Sequence, residues 1–466
     1  MEFSIINKSK TVSDFRLDAE CYKKDYLEIE TVLKGKPYST IGDEVSVFSK
    51  GIFDIKAECY SNEGIPFVRI ADLKNMMIDE SQLVFIPKEE NDKSKKSFLS
   101  RCDIILSKTA YPAASLVTLA FCNTSQDTIA VKIKTNSIFL SHFLVLFLNS
   151  KYGYLQMQRW FTGNIQMHLN LSDSRNIIIP IVSEGFQKSI EVQFEQVIFA
   201  IELSKLKYLQ AQILLLSELG LLNWKPKHRL NFVKKYSETQ KAGRIDAEYH
   251  QPKYDEIVEA IKSYACGWDS AKNILNIKDG NISPKEKIGY KYIELANIGN
   301  NGEISGIMEA EGQDLPSRAR RKVIKDDVIV SSIEGSLSRC ALIPDEYDGA
   351  LCSTGFYIVD SNKINPQTLL VLLKSPIGQE QLKKGCSGTI LTAFNKDEIG
   401  KIVLPIVDSG IQHQIRQKII ESFKLRKQSR HLLECAKKTV EMAIEKDEET
   451  AMKWLESQLD GIEMRN

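Results

Sequence analysis

Catalysis leaves recognisable residue spacings, and the best candidates in this chain each stop short of one. Methyl transfer to an amino group calls for an Asn/Asp-Pro-Pro-aromatic loop that holds the amine beside the donor, and none of the 13 prolines adjoins another. Nucleotide-driven translocation calls for Gly-x-x-x-x-Gly-Lys-Ser/Thr to cradle phosphates. The Gly-Lys pairs Gly35-Lys36 and Gly400-Lys401 are followed by Pro37 and Ile402, so neither is a phosphate loop. Metal-dependent cleavage needs clustered carboxylates with a lysine. Pro344-Asp345-Glu346 begins such a pattern, but no Glu-x-Lys or Asp-x-Lys follows at a workable distance, and a turn is expected there. The six histidines stand singly and form no evident triad or metal pair. Nine cysteines are scattered from Cys21 to Cys435 without a Cys-x-x-Cys pair, which suggests reduced thiols and no disulfide frame. No Cys/His group has zinc-ligand spacing, so no metal is expected. A chain without an engine is expected to position or recognise.

The elements that would do the positioning come in duplicate. Arg16-Leu17-Asp18-Ala19-Glu20 returns as Arg244-Ile245-Asp246-Ala247-Glu248, 228 residues on. Phe67 to Leu73 matches Tyr292 to Ile298 at an offset of 225, and Asp103 to Ser107 matches Asp327 to Ser331 at 224. Asn176 to Val182 matches Lys401 to Val407, again at 225. Four blocks in one order with nearly constant offsets mark a tandem duplication. Within each half, short apolar and β-branched runs predict strands: Val68 to Leu73, Ile104 to Ser107, Ile129 to Ile133 and their partners. Gly299-Asn300-Asn301-Gly302 predicts a tight turn. A helix is expected over Phe139 to Trp160 and over Pro366 to Lys384.

Each half then closes with a stretch free of Gly and Pro, Phe186 to Leu219 and Ile411 to Asp460. In the first, Ile190, Phe194, Val197 and Ile201 step by four and three, the seam of a coiled coil. In the second the seam is rougher: Ile415 and Ile419 fit, Ser422 and Arg426 do not, Leu433 and Val440 resume. A helix of about 34 residues spans about 50 Å. Its partner is either the other long helix or its own mixed domain.

The whole chain of 466 residues has room for roughly two to four domains, at about 150 residues each. With 43% apolar and 26% charged residues it has an ordinary globular make-up. The longest apolar stretch, Ser137 to Leu148, is broken by Ser141 and His142, and Met1-Glu2-Phe3-Ser4 is not an export signal, so a cytoplasmic chain without membrane association is expected. The balance of 62 Lys+Arg against 61 Asp+Glu argues for no basic surface overall. Lys205 to Arg244 nevertheless carries nine cations against Glu218 and Glu238, as a solvated face or a phosphate-facing stretch.

Together these motifs resemble the specificity subunits of type I restriction-modification systems. Arg16 to Glu20 and Arg244 to Glu248 resemble the family's entry into each target-recognition domain, and Phe67 to Leu73 its aromatic-hydrophobic-Arg-Ile-x-Asp-hydrophobic strand. Asp103 to Ser107 and Asp327 to Ser331 look like its Gly-Asp-hydrophobic-hydrophobic strand, although Cys102 and Asp326 stand where Gly is usual. Gly388-Thr389-Ile390, Asn395 to Ile399 and Ile402-Val403-Leu404-Pro405 are close to its Gly-Thr turn and Ile-Pro exit strand; Gly163-Asn164-Ile165, Leu169-Asn170-Leu171 and Ile178-Ile179-Pro180 take those places in the first copy. The resemblance runs from about residue 13 to 446 and rests on order, spacing and duplication.

It implies an α+β fold of two tandem mixed α/β target-recognition domains, 13–183 and 241–408, each followed by a long helix, 184–220 and 409–446. The two helices would pair as an antiparallel coiled coil, with a basic linker at 221–240 and a helical tail at 447–466. It further implies a non-catalytic subunit in which each half reads part of a split, asymmetric site on double-stranded DNA. Methyltransferase and restriction/translocase subunits would dock on it, and S-adenosylmethionine, ATP and Mg would belong to those partners. A protein-protein scaffold, or the recognition subunit of another phage-defence methyltransferase system, are the alternatives.

Base reading puts side chains of loops at base edges while cations place the phosphates. Lys108, Thr109 and Tyr111 follow a strand in the first half; Glu334, Ser336, Ser338 and Arg339 lie in the equivalent loop of the second. Arg318, Arg320, Arg321 and Lys322 form the densest cation run and suit phosphate. The Gly-containing turns add Asn164, Gln166 and His168 in the first copy and Ser387 and Thr389 in the second. Arg69 is expected on a strand as a structural ion-pair partner or a base contact. Asp18 and Asp246 are expected to hold the scaffold, since readers diverge between copies and scaffolds do not.

Overall fold

The duplicated blocks take the same places in two copies of one fold. A computed structural model describes residues 6, 16–74, 76–163, 167–388 and 392–459. Contacts divide the chain into two compact units, residues 1–200 with 427–466, and residues 201–426.

In the first unit, Val45–Lys50, Thr128–Ile133, Ile104–Ser107 and Ala114–Leu116 lie side by side, with two short strands, Met77–Ile78 and Leu73–Lys74, added at one edge. A second sheet runs Val84–Ile86, Ile65–Val68, Phe121–Thr124, Leu99–Ser100. The second unit repeats both orders: Leu275–Lys278, Phe356–Ser361, Val328–Ser331, Cys340–Leu342 in one sheet, and Met308–Glu311, Gly289–Ile293, Leu351–Ser353, Ala319–Lys322 in the other. In each copy the second sheet contains one parallel pair, Phe121–Thr124 on Ile65–Val68 and Leu351–Ser353 on Gly289–Ile293. The exit strand returns to the entrance: Ile178–Pro180 pairs with Tyr38–Thr40, and Val403–Pro405 with Trp268–Ser270.

The unalternating run Val328-Ile329-Val330 is buried because both its faces are covered. Val328 and Val330 join the core built with Leu369 to Leu373, whereas Ile329 joins the core of Ile293 and Cys352 from the other sheet. Both strands of this type are entered through a left-handed residue, Cys102 at φ 68° and Asp326 at φ 67°. That conformation is where the resembled family carries Gly, since a Cβ there costs roughly 1–2 kcal/mol.

Two local expectations need correction. Val68 to Leu73 is not a strand: pairing stops at Val68 and Ile70–Asp72 forms a 3-10 turn. The cause is Asp72, whose carboxylate accepts the Arg69 backbone N–H at 2.8 Å and curls the chain. Its equivalent Asn297 does the same to Glu294 at 2.9 Å. The single helices expected at 139–160 and 366–384 are each two, Ser141–Asn149 with Lys151–Arg159 and Pro366–Lys374 with Pro376–Gly385. Ser150 and Ser375 adopt extended backbone between them and cap the next helix. Gly153 and Gly378 let the helices meet: a Cβ would lie 2.3 Å from the Phe147 carbonyl oxygen and 2.2 Å from that of Leu372.

The long helices span Glu184–Glu218 and Ser409–Glu445, and a third, Glu448–Leu459, follows. The first seam is buried as expected at Ile190, Phe194 and Val197 and continues at Ser204, Tyr208, Ala211 and Leu215. The second does not lapse. Ser422 is buried, and its hydroxyl donates to the Ser204 carbonyl at 2.8 Å while Ser204 Oγ donates to that of Ser422 at 2.9 Å. Arg426 reaches buried Glu303 at 3.2 Å. Polar seam positions of this kind fix register. In the second unit Ser204 meets Ser422, Lys207 meets Glu421 and Gln210 meets Lys418, so the helices pack against each other in antiparallel sense.

Candidate nucleic-acid interface

In each copy the loop that follows the buried strand is stitched to two neighbours. In the first, the Lys108 N–H donates to the Asp127 carbonyl at 2.8 Å, and the Lys108 carbonyl accepts from the Leu169 N–H at 2.7 Å. In the second, the Ser332 N–H donates to the Gly355 carbonyl at 2.9 Å, and the Ser332 carbonyl accepts from the Phe394 N–H at 3.0 Å. Thr109 bridges His168 as Ile333 bridges Ala393. A post-strand loop, the turn that carries the chain from one sheet to the other and the exit turn therefore converge twice, and the loops and glycine turns named from sequence are brought together in each copy.

The turn glycines are left-handed, Gly163 at φ 134° and Gly388 at φ 128°. The entry motif anchors what precedes them. Arg16 and Asp18 form a two-pronged ion pair, and Arg16 Nη1 donates to the Arg159 carbonyl at 3.1 Å, four residues before Gly163. Arg244 pairs with Asp246 at 2.8 and 3.0 Å and donates to the Cys386 carbonyl at 3.1 Å, two before Gly388. Each aspartate also accepts a backbone N–H, from Cys21 and from Tyr249. The facing guanidinium holds both carboxyls below their ordinary value.

In the first copy, Lys108 is half-buried at the loop base, Thr109 is buried, and Tyr111 projects with 45% of its surface exposed. Left-handed Ala110 turns the chain, and the Ser107 hydroxyl, donating to the Tyr111 carbonyl and accepting the Ala113 N–H at 2.8 Å, fixes the loop. His168 pairs across Thr162, and its Nδ1 is buried without a hydrogen-bond partner among the described residues. Asn164 and Gln166 lie outside the described residues.

In the second copy, Ser336 Oγ is engaged with Ser331 Oγ at 2.8 Å, and Arg339 donates to the Ile298 carbonyl at 2.6 Å. Half-buried Glu334 and exposed Ser338 remain at the loop surface, beside exposed Ser387. Lys374, whose pKa burial pushes down, donates to the Ser338 carbonyl at 2.6 Å. Thr389 lies outside the described residues.

The cation run splits by role. Arg321 donates to the Phe356 carbonyl and lies 5.0 Å over the Tyr357 ring, which stacks on Phe394. Arg320 donates to the Ser317 carbonyl at 3.0 Å and reaches Ser283 Oγ at 3.4 Å. Arg318 and Lys322 are exposed, and with Lys108 they make no salt bridge among the described residues. Arg69 is an ion-pair residue: it meets buried Asp72 at 3.2 Å and donates to the Gln82 carbonyl at 2.6 Å. Sequence reasoning did not include the sheet-to-sheet turns at Asp127 and Gly355 or the Tyr357–Phe394 stack. Thr354-Gly355 between two apolar runs was a detectable turn signal; the stack had none.

Over 163 residues the chain is 28% identical to the type I restriction enzyme HindI specificity subunit of Haemophilus influenzae. The chain is similar to a type I specificity subunit. The resemblance drawn from the motifs is thus met by an independent sequence match. That match spans 33% of this chain and 33% of the relative, so the chain spans about a third of the length of the curated relative it matches. Among solved structures, the S subunit of a type I restriction-modification system from M. genitalium overlays at a TM-score of 0.38, with 15% identity, over 90% of this chain and 95% of that one. The HsdS subunit from Thermoanaerobacter tengcongensis overlays at 0.26, with 13% identity, over 91% and 96%. No family model matches the chain.

Proposed function

We propose that this chain is the non-catalytic DNA-specificity subunit of a cytoplasmic type I restriction-modification complex. Each copy reads one part of a bipartite, asymmetric site on double-stranded DNA. The observation that carries this is the repeated junction, whose backbone stitching is the same in both copies while its side chains differ: half-buried Lys108 and His168 with exposed Tyr111 against half-buried Glu334 with exposed Ser338 and Ser387. A lysine suits phosphate and a glutamate accepts from the cytosine amine, so unlike side chains on like frames read unlike sequences. Arg318 and Lys322 place the backbone.

Methyltransferase and restriction subunits dock on the chain and bring S-adenosylmethionine, ATP and Mg. The first long helix supports a docking role, because Val192, Phe199, Leu206 and Ile213 recur every seven residues and are 55%, 55%, 47% and 42% exposed. That is a second apolar stripe, on the face of the helix opposite the seam already used.

The test is the adenine methylome of a host with this gene intact or deleted. Loss of one two-part, asymmetric methylated motif on deletion is expected. An unchanged methylome, with the neighbouring methyltransferase expressed, overturns the proposal and favours a protein-protein scaffold or another defence system.

A further inference from the structure

We infer that the first unit holds a divalent transition-metal site, of the kind that takes zinc, built by Cys102, His142 and Glu195. The three come from separate elements: the left-handed turn before Ile104–Ser107, the helix Ser141–Asn149, and the first long helix. Their donor atoms lie within 4.8 Å of one another, with His142 Nε2 and Glu195 Oε1 3.1 Å apart. Zinc bonds of about 2.0–2.3 Å to N, O and S place tetrahedral donors about 3.3–3.8 Å apart, so small side-chain rotations close the set. Thiolate, imidazole and carboxylate together suit a borderline-soft cation, not magnesium or calcium.

The imidazole makes the stronger case. His142 is 3% exposed, packs edge-on against Phe194 at 5.5 Å, and faces a carboxylate from each nitrogen. Glu191 Oε1 stands 3.2 Å from Nδ1 and Glu195 Oε1 3.1 Å from Nε2. A neutral imidazole has one N–H and can donate to only one of them. With that proton on Nδ1 toward Glu191, the Nε2 lone pair meets the Glu195 carboxylate head-on, an arrangement a shared cation relieves. A carboxylate behind the far nitrogen is also the usual outer support of a metal-bound histidine. Arg101, 3.1 Å from the other oxygen of Glu195, is the one cation paired with the cluster among the described residues. Cys102 and Glu195 are partly open, which gives a metal and a completing water a way in. Binding releases the Cys102 thiol proton. The metal would staple the strand carrying the Lys108 loop to the first long helix.

The experiment is zinc and cobalt binding by the full-length chain. One equivalent of zinc should survive dialysis, and the cobalt form should show a thiolate-to-metal charge-transfer band in the near ultraviolet. Cys102→Ser and His142→Gln should each abolish the band, while Cys266→Ser, an exposed cysteine elsewhere, should keep it. Glu191→Gln should weaken binding by about 10–100-fold yet leave the band in place. Absence of stoichiometric binding by the unmodified chain, or a band that persists in Cys102→Ser, overturns the site. So does nitrogen NMR showing both His142 nitrogens protonated in zinc-supplied protein, since the cation would then be a proton. The unmodified chain's stoichiometry and spectrum decide the matter even where a variant fails to fold.

Discussion

The two copies share a frame and part company at two places. At the junction of loop, sheet-to-sheet turn and exit turn the backbone bonds repeat, but Lys108 and Tyr111 give way to Ser332 and Glu334 to Ser338. At the contact with the long helix, Cys102, His142, Glu191 and Glu195 have as counterparts Asp326, Gln367, Arg416 and Ile420, which cannot form the same cluster. Gln187 and Gln412 meanwhile make the same bonds in both, accepting the N–H of Leu140 and of Asn365 at 2.8 and 2.7 Å. Duplication preserved side chains such as Gln187 and Gln412 that satisfy backbone groups, while others changed, from the surface Tyr111 to the buried His142.

The comparison can be broken most severely at the helix crossings. Gly153→Ala and Gly378→Ala should each destabilise their own unit by about 3 kcal/mol, because the new methyl meets backbone that has nowhere to move. Urea unfolding of each variant checks this, and a loss in only one copy would show the crossings are not equivalent.

A smaller difference is expected at the 3-10 turns. Asp72→Ala strands Arg69 and a backbone N–H, costing about 2–3 kcal/mol, while Asn297→Ala loses only the backbone bond, about 1 kcal/mol. Equal losses in chemical denaturation would remove the role given to the Arg69 pair.

At the left-handed entries, Asp326→Gly should stabilise by about 1 kcal/mol by relieving the Cβ. Cys102→Gly should do the same in chelator but lower the melting temperature when zinc is present, a change of sign that isolates the proposed metal.

The smallest effect is on acid stability. Arg16 and Arg244 depress the pKa of Asp18 and Asp246 below the ordinary 3.8, so the stability these pairs add is present above that value and fades as pH falls through the lower, folded one. Asp18→Asn and Asp246→Asn should each flatten melting temperature against pH below about 4.

Much of the frame was legible because duplication shows twice what one copy shows once. The strands Ile104–Ser107 and Val328–Ser331 and the first coiled-coil seam were plain from unbroken or seven-residue patterns. The helix breaks at Ser150 and Ser375 were both missed, although Ser375-Pro376 carries a clearer signal than Ser-Lys-Tyr-Gly does. Ser422 and Arg426 looked like lapses because a seam satisfied by paired hydroxyls and a buried ion pair has no hydrophobic signature. Among candidate readers, Arg321 and Arg339 could not be told from Arg318 by residue type; only their carbonyl partners reveal that they brace the frame. The Cys102–His142–Glu195 cluster was invisible to spacing because folding, not sequence, brings its members together.

The most direct test of divided reading is the methylome of a host carrying Lys108→Ala with Tyr111→Ala, against one carrying Glu334→Ala with Ser338→Ala. We expect each pair to relax or abolish one half of the methylated motif and leave the other half and the spacing intact, with a cost of about 1–3 kcal/mol per lost base contact. Both pairs altering the same half, or neither altering any position, would contradict the assignment of one half-site to each copy.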